Sequence, residues 1–202
     1  MKKYKIIFLL IMISINAYSQ NRHDLSIGSG ISKAMGSGSE DWNLGFNING
    51  DYFYNISKRI SIGGHLAYNK WNIKGSEIAR ELFGDSDTDF NVKGSKSMIE
   101  VLPSIKITPF LVQNSLSRLF IQSGIGYYFV NSEMKISYLL LGQPGEIKMG
   151  GKDDKIGIDI GVGLKIGNND KINFAVCPIY NIIFVDDEKV EYLSLNVRVI
   201  FF

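Results

Sequence analysis

Two segments of the chain alternate regularly between apolar and polar residues. From Trp42 to Tyr54 the even positions are apolar and the odd positions polar, with Gly50 and Phe53 as the only departures. The segment from Ile156 to Ile166 repeats the pattern, with isoleucine, valine and leucine at the even positions and glycine, aspartate and lysine between them. A period of two predicts β-strands with one apolar and one polar face.

Weaker alternation adds six further strands, which makes eight in total. The segments between them alternate in length, and the two longest, residues 74–96 and 131–155, fall on the same side of the predicted sheet. This rhythm of strands and turns predicts an all-β fold, an eight-stranded antiparallel up-and-down meander that closes into a barrel. The six additional strands span Leu25–Ile31, Ile60–Tyr68, Ile99–Ile107, Leu119–Phe129, Ile172–Tyr180 and Leu193–Phe201.

The first residues have the pattern of a secretory signal peptide. Three lysines among the first five residues precede the apolar run Ile6–Ile13, and Ala17-Tyr18-Ser19 is a small-x-small cleavage signature. The apolar run is about half of the roughly 20 residues that a membrane-spanning helix needs. We therefore expect residues 1–19 to be removed before Gln20, leaving residues 20–202 as one barrel domain.

The composition of the polar face favours a transmembrane barrel over a soluble, lipocalin-like one. That face is rich in glycine, asparagine and serine, whereas a solvated surface would carry long charged side chains. An eight-stranded barrel has little interior space, so the small polar face should point inward and the apolar face should meet lipid. We predict an aromatic girdle at the membrane edges, formed by Trp42, Tyr52, Tyr54, Tyr68, Tyr127 and Phe129.

Three segments resemble those of small outer-membrane β-barrel proteins of the OmpX/OmpA-like type, often labelled porin-family or PorT-like. They are the strands Phe120–Tyr128 and Asp159–Lys165 and the aromatic C-terminus Val197–Phe202, and an Ala-Tyr-Ser-Gln signal cut accompanies them. The resemblance implies a location in the outer membrane of a Gram-negative bacterium. It also implies that the barrel-assembly machinery recognises the last strand, with Phe201 or Phe202 as the assembly signal; the alternation places Phe201 on the lipid face.

Charge and cysteine content exclude several other classes. Twenty-two lysine and arginine residues against 20 aspartate and glutamate residues give a formal charge of +2, which lacks the basic excess of a nucleic-acid-binding protein. A single cysteine, Cys177, can form neither an intramolecular disulfide nor a thiolate zinc site. The expected partners are outer-membrane lipid, the assembly machinery and a surface partner at the external loops, and no cofactor is expected.

Charged residues of both signs fall on the predicted inward face. They must pair in a narrow lumen, because an unpaired buried charge costs several kcal/mol. The sequence therefore predicts an ion-paired plug, and the competing interpretation is a polar conduit in which the inward glycines leave a gap. The predicted lumen network comprises Asp51, His65, Glu100, Lys106, Asp159, Lys165 and Arg198.

The sequence offers little support for catalysis or metal binding. The two histidines are His23, which precedes the first predicted strand, and His65, and neither has a nucleophile placed beside it by spacing. The acidic run Asp85, Asp87 and Asp89 begins like a calcium loop. Phe90 occupies the position that requires glycine in such a loop, so this is a weak divalent-cation candidate.

The long connections predict external features. Ser76 to Gly84 reads as a short helix with Ser76 as N-cap and Gly84 as C-cap, and its apolar face would be Ile78, Leu82 and Phe83. Together with Tyr138–Leu141 it would form a cap over the barrel mouth or a docking surface. The resulting hypothesis is a non-enzymatic barrel with a structural or interaction role through its external loops. The alternatives are a narrow passive channel, an accessory of an envelope secretion or assembly system, a lipid-modifying enzyme and a soluble binder.

Overall fold

The computed structural model of the chain describes residues 22–36, 39–83, 90–109, 119–140, 143–167, 172–185 and 188–201. Within them lie eight β-strands, a 3-10 turn at Ser39–Asp41 and one α-helix, α1, at Gly75–Phe83. The strands are β1 (His23–Met35), β2 (Gly45–Asn55), β3 (Ile60–Asn72), β4 (Phe90–Ile107), β5 (Leu119–Leu140), β6 (Gln143–Ile166), β7 (Ile172–Val185) and β8 (Glu188–Phe201).

The strands form a closed antiparallel ring in sequence order. Each pairs with its neighbours in the chain, and β1 also pairs with β8, so that Ile27 lies between Gly50 and Val199. This confirms the predicted eight-stranded meander. The predicted signal peptide, residues 1–19, lies outside the described residues.

The barrel is apolar outside and polar inside. Large apolar side chains cover the outer face, with Ile125 60% exposed, Leu66 57% and Ile160 54%. Asparagine, serine and charged side chains are buried within the ring. A soluble barrel has the opposite arrangement, whereas a closed ring with an apolar exterior satisfies every strand edge and faces lipid. The chain is an outer-membrane β-barrel, and the soluble alternative is wrong.

The barrel has a short-turn end and a long-loop end. The β2–β3 turn at residues 56–59 lies at the same end as the first described residue and the last residue of β8. The helix α1, the last residue of β5 and the first residue of β6 lie at the opposite end. Since outer-membrane barrels have short periplasmic turns and longer external loops, the first end faces the periplasm and the second the outside.

The longest predicted loop is instead an extended hairpin. Residues 131–140 continue β5 and residues 143–155 continue β6, so the two strands reach 22 and 24 residues and stay in register from Asn131↔Lys152 to Leu140↔Gln143. The sequence interpretation ended the strands at Phe129 and Ile156 because apolar alternation stops there. Beyond the lipid, a strand is held by its backbone ladder and needs no apolar face.

The predicted helix is present, with a different cap. The Lys74 carbonyl accepts hydrogen bonds from the amides of Glu77 and Ile78, at 3.0 and 3.1 Å, so Lys74 is the N-cap and Ser76 lies inside the first turn. The Lys74 ammonium also lies 3.2 Å from the Glu77 carboxylate. The predicted C-cap Gly84 lies outside the described residues. No helix in the described ranges has the length and hydrophobicity to cross a membrane.

Candidate functional site in the barrel lumen

A charged layer centred on Asp51 crosses the middle of the lumen. One Asp51 oxygen lies 2.6 Å from His65 Nδ1, and the other lies 2.8 Å from the Arg198 guanidinium. The Ser26 hydroxyl donates to that second oxygen at 2.6 Å. Asp51 and His65 face each other in register on β2 and β3, and β1 brings Ser26 opposite Asp51. Asp51 therefore has three buried partners, two of which are basic groups.

Glu100 extends this layer to the other side of the barrel. It accepts hydrogen bonds from the Asn69 amide and the Tyr192 hydroxyl. His65 Nε2 lies 3.8 Å from the second Glu100 oxygen. The imidazole thus sits between two carboxylates, and both of its nitrogens are directed at them.

Arg198 on β8 connects the layer to β5 and makes a second contact with β2. Its Nε donates to Asn49 Oδ1 at 3.1 Å and one terminal nitrogen donates to Gln122 Oε1 at 2.7 Å. Asn49 in turn donates to Asn196 Oδ1 at 3.0 Å. Asp159 is buried on β6, and its two oxygens have no hydrogen-bond partner among the described residues. Five of the seven predicted lumen residues therefore lie in this layer.

Lys106 and Lys165 do not belong to the central layer. Lys106 pairs with Asp24 at 2.5 Å nearer the periplasmic end, and its ammonium lies 4.6 Å from the centroid of the Phe53 ring. Lys165 is half-buried and lines a cavity at the same end. The single network predicted from the sequence is therefore divided between two levels of the lumen.

The external half of the lumen is filled by an apolar cluster that the sequence interpretation missed. Tyr128 is fully buried, and the Trp71 and Tyr192 rings meet edge to face with centroids 5.3 Å apart. Strand parity could have found this cluster, since Tyr128 shares its face with Gln122 and Tyr192 shares its face with Arg198. We call it the aromatic plug, and its buried members are Trp71, Met98, Leu102, Tyr128, Ile183 and Tyr192.

The inward glycines make room for large rings. A Cβ atom added at Gly163 would lie 2.0 Å from the Phe120 ring, and one at Gly157 would lie 2.6 Å from the Tyr128 ring. At Gly45 the Trp71 ring occupies the corresponding space at 2.5 Å. These glycines therefore leave no gap of the kind that a polar conduit requires.

Among the described residues, the lumen does not bring a nucleophile beside a base. His65 is held by two carboxylates, and His23 contacts the Tyr52 hydroxyl at 2.7 Å as the first residue of β1, so the prediction that it precedes the strand was wrong. Cys177 is fully buried beside Pro178. In the described part of the chain, no group of three or more histidine, cysteine or acidic side chains could hold a metal ion. Asp85, Asp87 and Asp89 lie outside it.

One predicted girdle residue occupies a different place. Trp42 precedes β2, forms an isolated bridge with Ile73 and packs half-buried against the aromatic plug, with the Lys96 ammonium 5.9 Å from its ring centroid. The 3-10 turn leads directly into Trp42, whose amide donates a hydrogen bond to the Ser39 carbonyl. The other five lie exposed on the outer face: Tyr52, Tyr54, Tyr68, Tyr127 and Phe129.

The C-terminal aromatic predicted to serve in assembly also lies outside. Phe201 is 39% exposed and pairs with Leu25 on β1 and Ile172 on β7, at the periplasmic end of the barrel. Phe202 lies outside the described residues. Recognition of this strand by the barrel-assembly machinery stays a prediction.

No protein-family model and no curated protein sequence matches the chain. Among solved structures, it is similar to Ail, the attachment invasion locus protein of Yersinia pestis, with 17% identity over 90% of this chain and 100% of that one and a TM-score of 0.49. It is similar to CarO of Acinetobacter baumannii with 13% identity over 87% and 96% of the two chains and a TM-score of 0.44. It is similar to Neisserial surface protein A with 14% identity over 89% of this chain and 96% of that one and a TM-score of 0.41. This chain is identified as an outer-membrane barrel by its own closed ring of strands and its apolar outer face.

Proposed function

We propose that the protein is a closed, non-enzymatic outer-membrane barrel that presents an external β-sheet to a partner chain. The observation that carries this proposal is the contrast between its two parts. The charged layer and the aromatic plug block the middle and the external half of the lumen, whereas β5 and β6 continue as an ordered hairpin beyond the apolar belt.

The external sheet has three strands. Residues 131–140 of β5 and 143–155 of β6 form its hairpin, and residues 90–97 of β4 pair along the other side of β5, from Phe90↔Tyr138 to Ser97↔Asn131. At about 3.3 Å per residue the ten external residues of β5 span about 33 Å of strand. We call this sheet the projection.

Charged side chains cover the projection as expected of a surface in water. Glu146 lies 2.5 Å from the Lys135 ammonium and 2.9 Å from that of Lys148. Hydrogen bonds from these two lysines lower the pKa of the Glu146 carboxyl, so it stays ionised at neutral pH. Such a surface would be unstable in hydrocarbon, which supports its position outside the bilayer.

The projection has an unpaired edge along β6. The ladder between β6 and β7 begins at Ile156↔Phe184, so among the described residues 143–155 pair with β5 alone. An exposed strand edge presents a row of backbone donors and acceptors to which an extended segment of another chain can add. This geometry favours a peptide strand as the partner's contact element.

The passive channel is the main competing function, and the filled lumen argues against it. We expect refolded protein in a planar lipid bilayer to show no discrete conductance steps, because rings occupy the space beside the inward glycines. A shift in gel mobility between boiled and unboiled samples would verify the folded barrel, and a refolded porin serves as the positive control. Reproducible single-channel steps from verified barrels would contradict the closed lumen.

Occupation of the β6 edge on cells can be measured with cysteine labelling. Lys148→Cys lies on the edge strand and Lys135→Cys lies opposite it on the central strand, at the same height above the membrane. Because Cys177 is buried, an impermeant maleimide should report only the introduced thiol. We expect labelling of Lys148→Cys to be about tenfold slower on intact cells than in lipid nanodiscs, since a paired strand covers the edge.

The central strand provides the matched control for this experiment. Shielding by surface lipid or polysaccharide would slow labelling at Lys135→Cys and Lys148→Cys alike, because the two positions face each other in register. A docked strand would slow only Lys148→Cys. Equal slowing at both positions, or no slowing at either, would overturn the proposed interaction role.

A further inference from the structure

A cavity of about 620 Å³ opens at the periplasmic end of the barrel. Residues from all eight strands line it, as does the β2–β3 turn. Asp51 and Arg198 form its inner end, so the charged layer separates this cavity from the aromatic plug. The volume falls in the range of small-molecule sites. We call it the vestibule.

Positive charge predominates in the described lining of the vestibule. Two carboxylates, Asp24 and Asp51, are already in contact with Lys106 and Arg198. Five cationic side chains and these two carboxylates make up the charged groups of the described lining, so its formal charge is +3. A narrow lumen of one sign focuses its potential on a ligand of the opposite sign. The five cationic side chains are Arg22, Lys58, Lys106, Lys165 and Arg198.

Two buried donors in the lining have no acceptor among the residues that the structure describes. They are Nη2 of Arg198 and Nε2 of Gln122, and the two side chains are 2% and 1% exposed. The same two residues are joined to each other through the other Arg198 terminal nitrogen, which donates to Gln122 Oε1 at 2.7 Å. An oxyanion beside them would supply acceptors to both groups, and hydrogen bonds from a guanidinium to an oxyanion are among the strong ones.

Apolar side chains also line the vestibule, some of them on the same strands as Arg198 and Gln122. Phe53, Phe120, Ala175 and Ile200 contribute side chains to the vestibule, and the Lys106 ammonium lies above the Phe53 ring. A ligand that fits this lining has an anionic group at one end and an apolar or aromatic group at the other. Aromatic walls with a few convergent polar groups are typical of small-molecule sites.

We propose that the vestibule binds a small organic anion from the periplasmic side, a phosphate or carboxylate that carries an apolar group. The oxyanion faces Arg198 and Gln122, and the lysines surround it. The apolar group contacts Phe53 and Phe120. The external projection is not required for this binding, so the proposal is independent of the proposed interaction role.

Phenyl phosphate is a suitable probe because it combines a ring with a phosphate. We expect calorimetric titration of the full mature protein in phosphatidylcholine nanodiscs to show saturable binding that weakens as salt is added. Benzyl alcohol has the ring without the charge, and we expect it to bind at least about tenfold more weakly. Empty nanodiscs measure binding to lipid.

Two variants and a matched control locate the binding. Lys165→Gln removes one lining charge and Gln122→Leu removes one unpaired donor, and each should weaken phenyl phosphate binding about fivefold or more. Lys148→Gln removes the same charge from the projection and should leave the affinity unchanged. The gel-mobility shift verifies folding of every variant.

Three results would overturn the proposal. The first is no saturable binding of phenyl phosphate to verified barrels. The second is equal affinity for benzyl alcohol, which would mean that the ring alone is recognised. The third is an equal effect of Lys148→Gln and Lys165→Gln, which would mean that net charge attracts the anion without a site.

Discussion

Asp51→Asn is expected to lower the free energy of unfolding by about 3 to 5 kcal/mol. The substitution leaves the Arg198 guanidinium buried without its carboxylate, at a position only 2% exposed. It also removes the charged acceptor of His65 and Ser26. Urea titration in phospholipid vesicles, followed by the fluorescence of Trp71 inside the plug, measures the change.

A double variant separates the cost of leaving Arg198 buried without a carboxylate from the stability that the Asp51–Arg198 ion pair contributes. Replacing both partners, as Asp51→Leu with Arg198→Met, should cost less than Asp51→Asn alone, because no uncompensated charge stays buried. Asp153→Asn is the matched control, since that carboxylate pairs with Lys155 at 2.9 Å while 57% exposed. We expect no measurable change there. If the free-energy costs of Asp51→Leu and Arg198→Met, measured singly, add up to the cost of the double variant, the charged layer is hydrated and the ion pair is weak.

The alternation of residue types predicted the barrel, and the small polar residues of one face predicted which way its faces point. Lipid tolerates only apolar side chains on one face and a narrow lumen admits only certain side chains on the other, so a period of two persists through the membrane. Ile156 to Ile166 is the clearest case. Outside the lipid this contrast disappears, which is why residues 131–155 were predicted as a loop, although residues 131–140 and 143–155 are strands.

Contacts across the lumen depend on register, which the alternation does not contain. Asp51 and Arg198 were both predicted to point inward, but their pairing joins β2 to β8 across 147 positions of sequence. The same limit applies to Lys106, which pairs with Asp24 rather than with the central layer. The odd or even position of a residue assigns its side chain to the inward or the outward face. Its height along the barrel axis depends on the register between strands.

The sequence interpretation missed the aromatic plug because it considered the small and the charged residues of the inward face and not the large rings among them. Gly157 and Gly163 are small because Tyr128 and Phe120 occupy the volume beside them. Glycine on a barrel strand marks either a gap or a close neighbour, and the sequence alone does not distinguish these cases. The large residues on the same faces would have pointed to the second case.

Ile160→Arg is expected to lower the free energy of unfolding by about 2 to 4 kcal/mol, because it places a charge near the middle of the lipid-facing surface. Ile160 is 54% exposed on β6, between Ser123 on β5 and Tyr180 on β7. The same urea titration in vesicles measures this change, and a leucine at position 160 controls for the loss of side-chain shape.

Met149→Arg is the comparison that tests where the membrane ends. Met149 lies on the same strand and is similarly exposed, at 49%, but it belongs to the projection. It is eleven residues from Ile160, or about 36 Å along the strand. Because Ile160 is near the midplane and the whole apolar band is about 25 Å thick, a residue this far along the strand lies outside the band. We expect its replacement to change stability by no more than about 0.5 kcal/mol, as at an ordinary solvated surface position. A cost equal to that of Ile160→Arg would place the hairpin in lipid, and the unpaired β6 edge would then have no access to a partner in water.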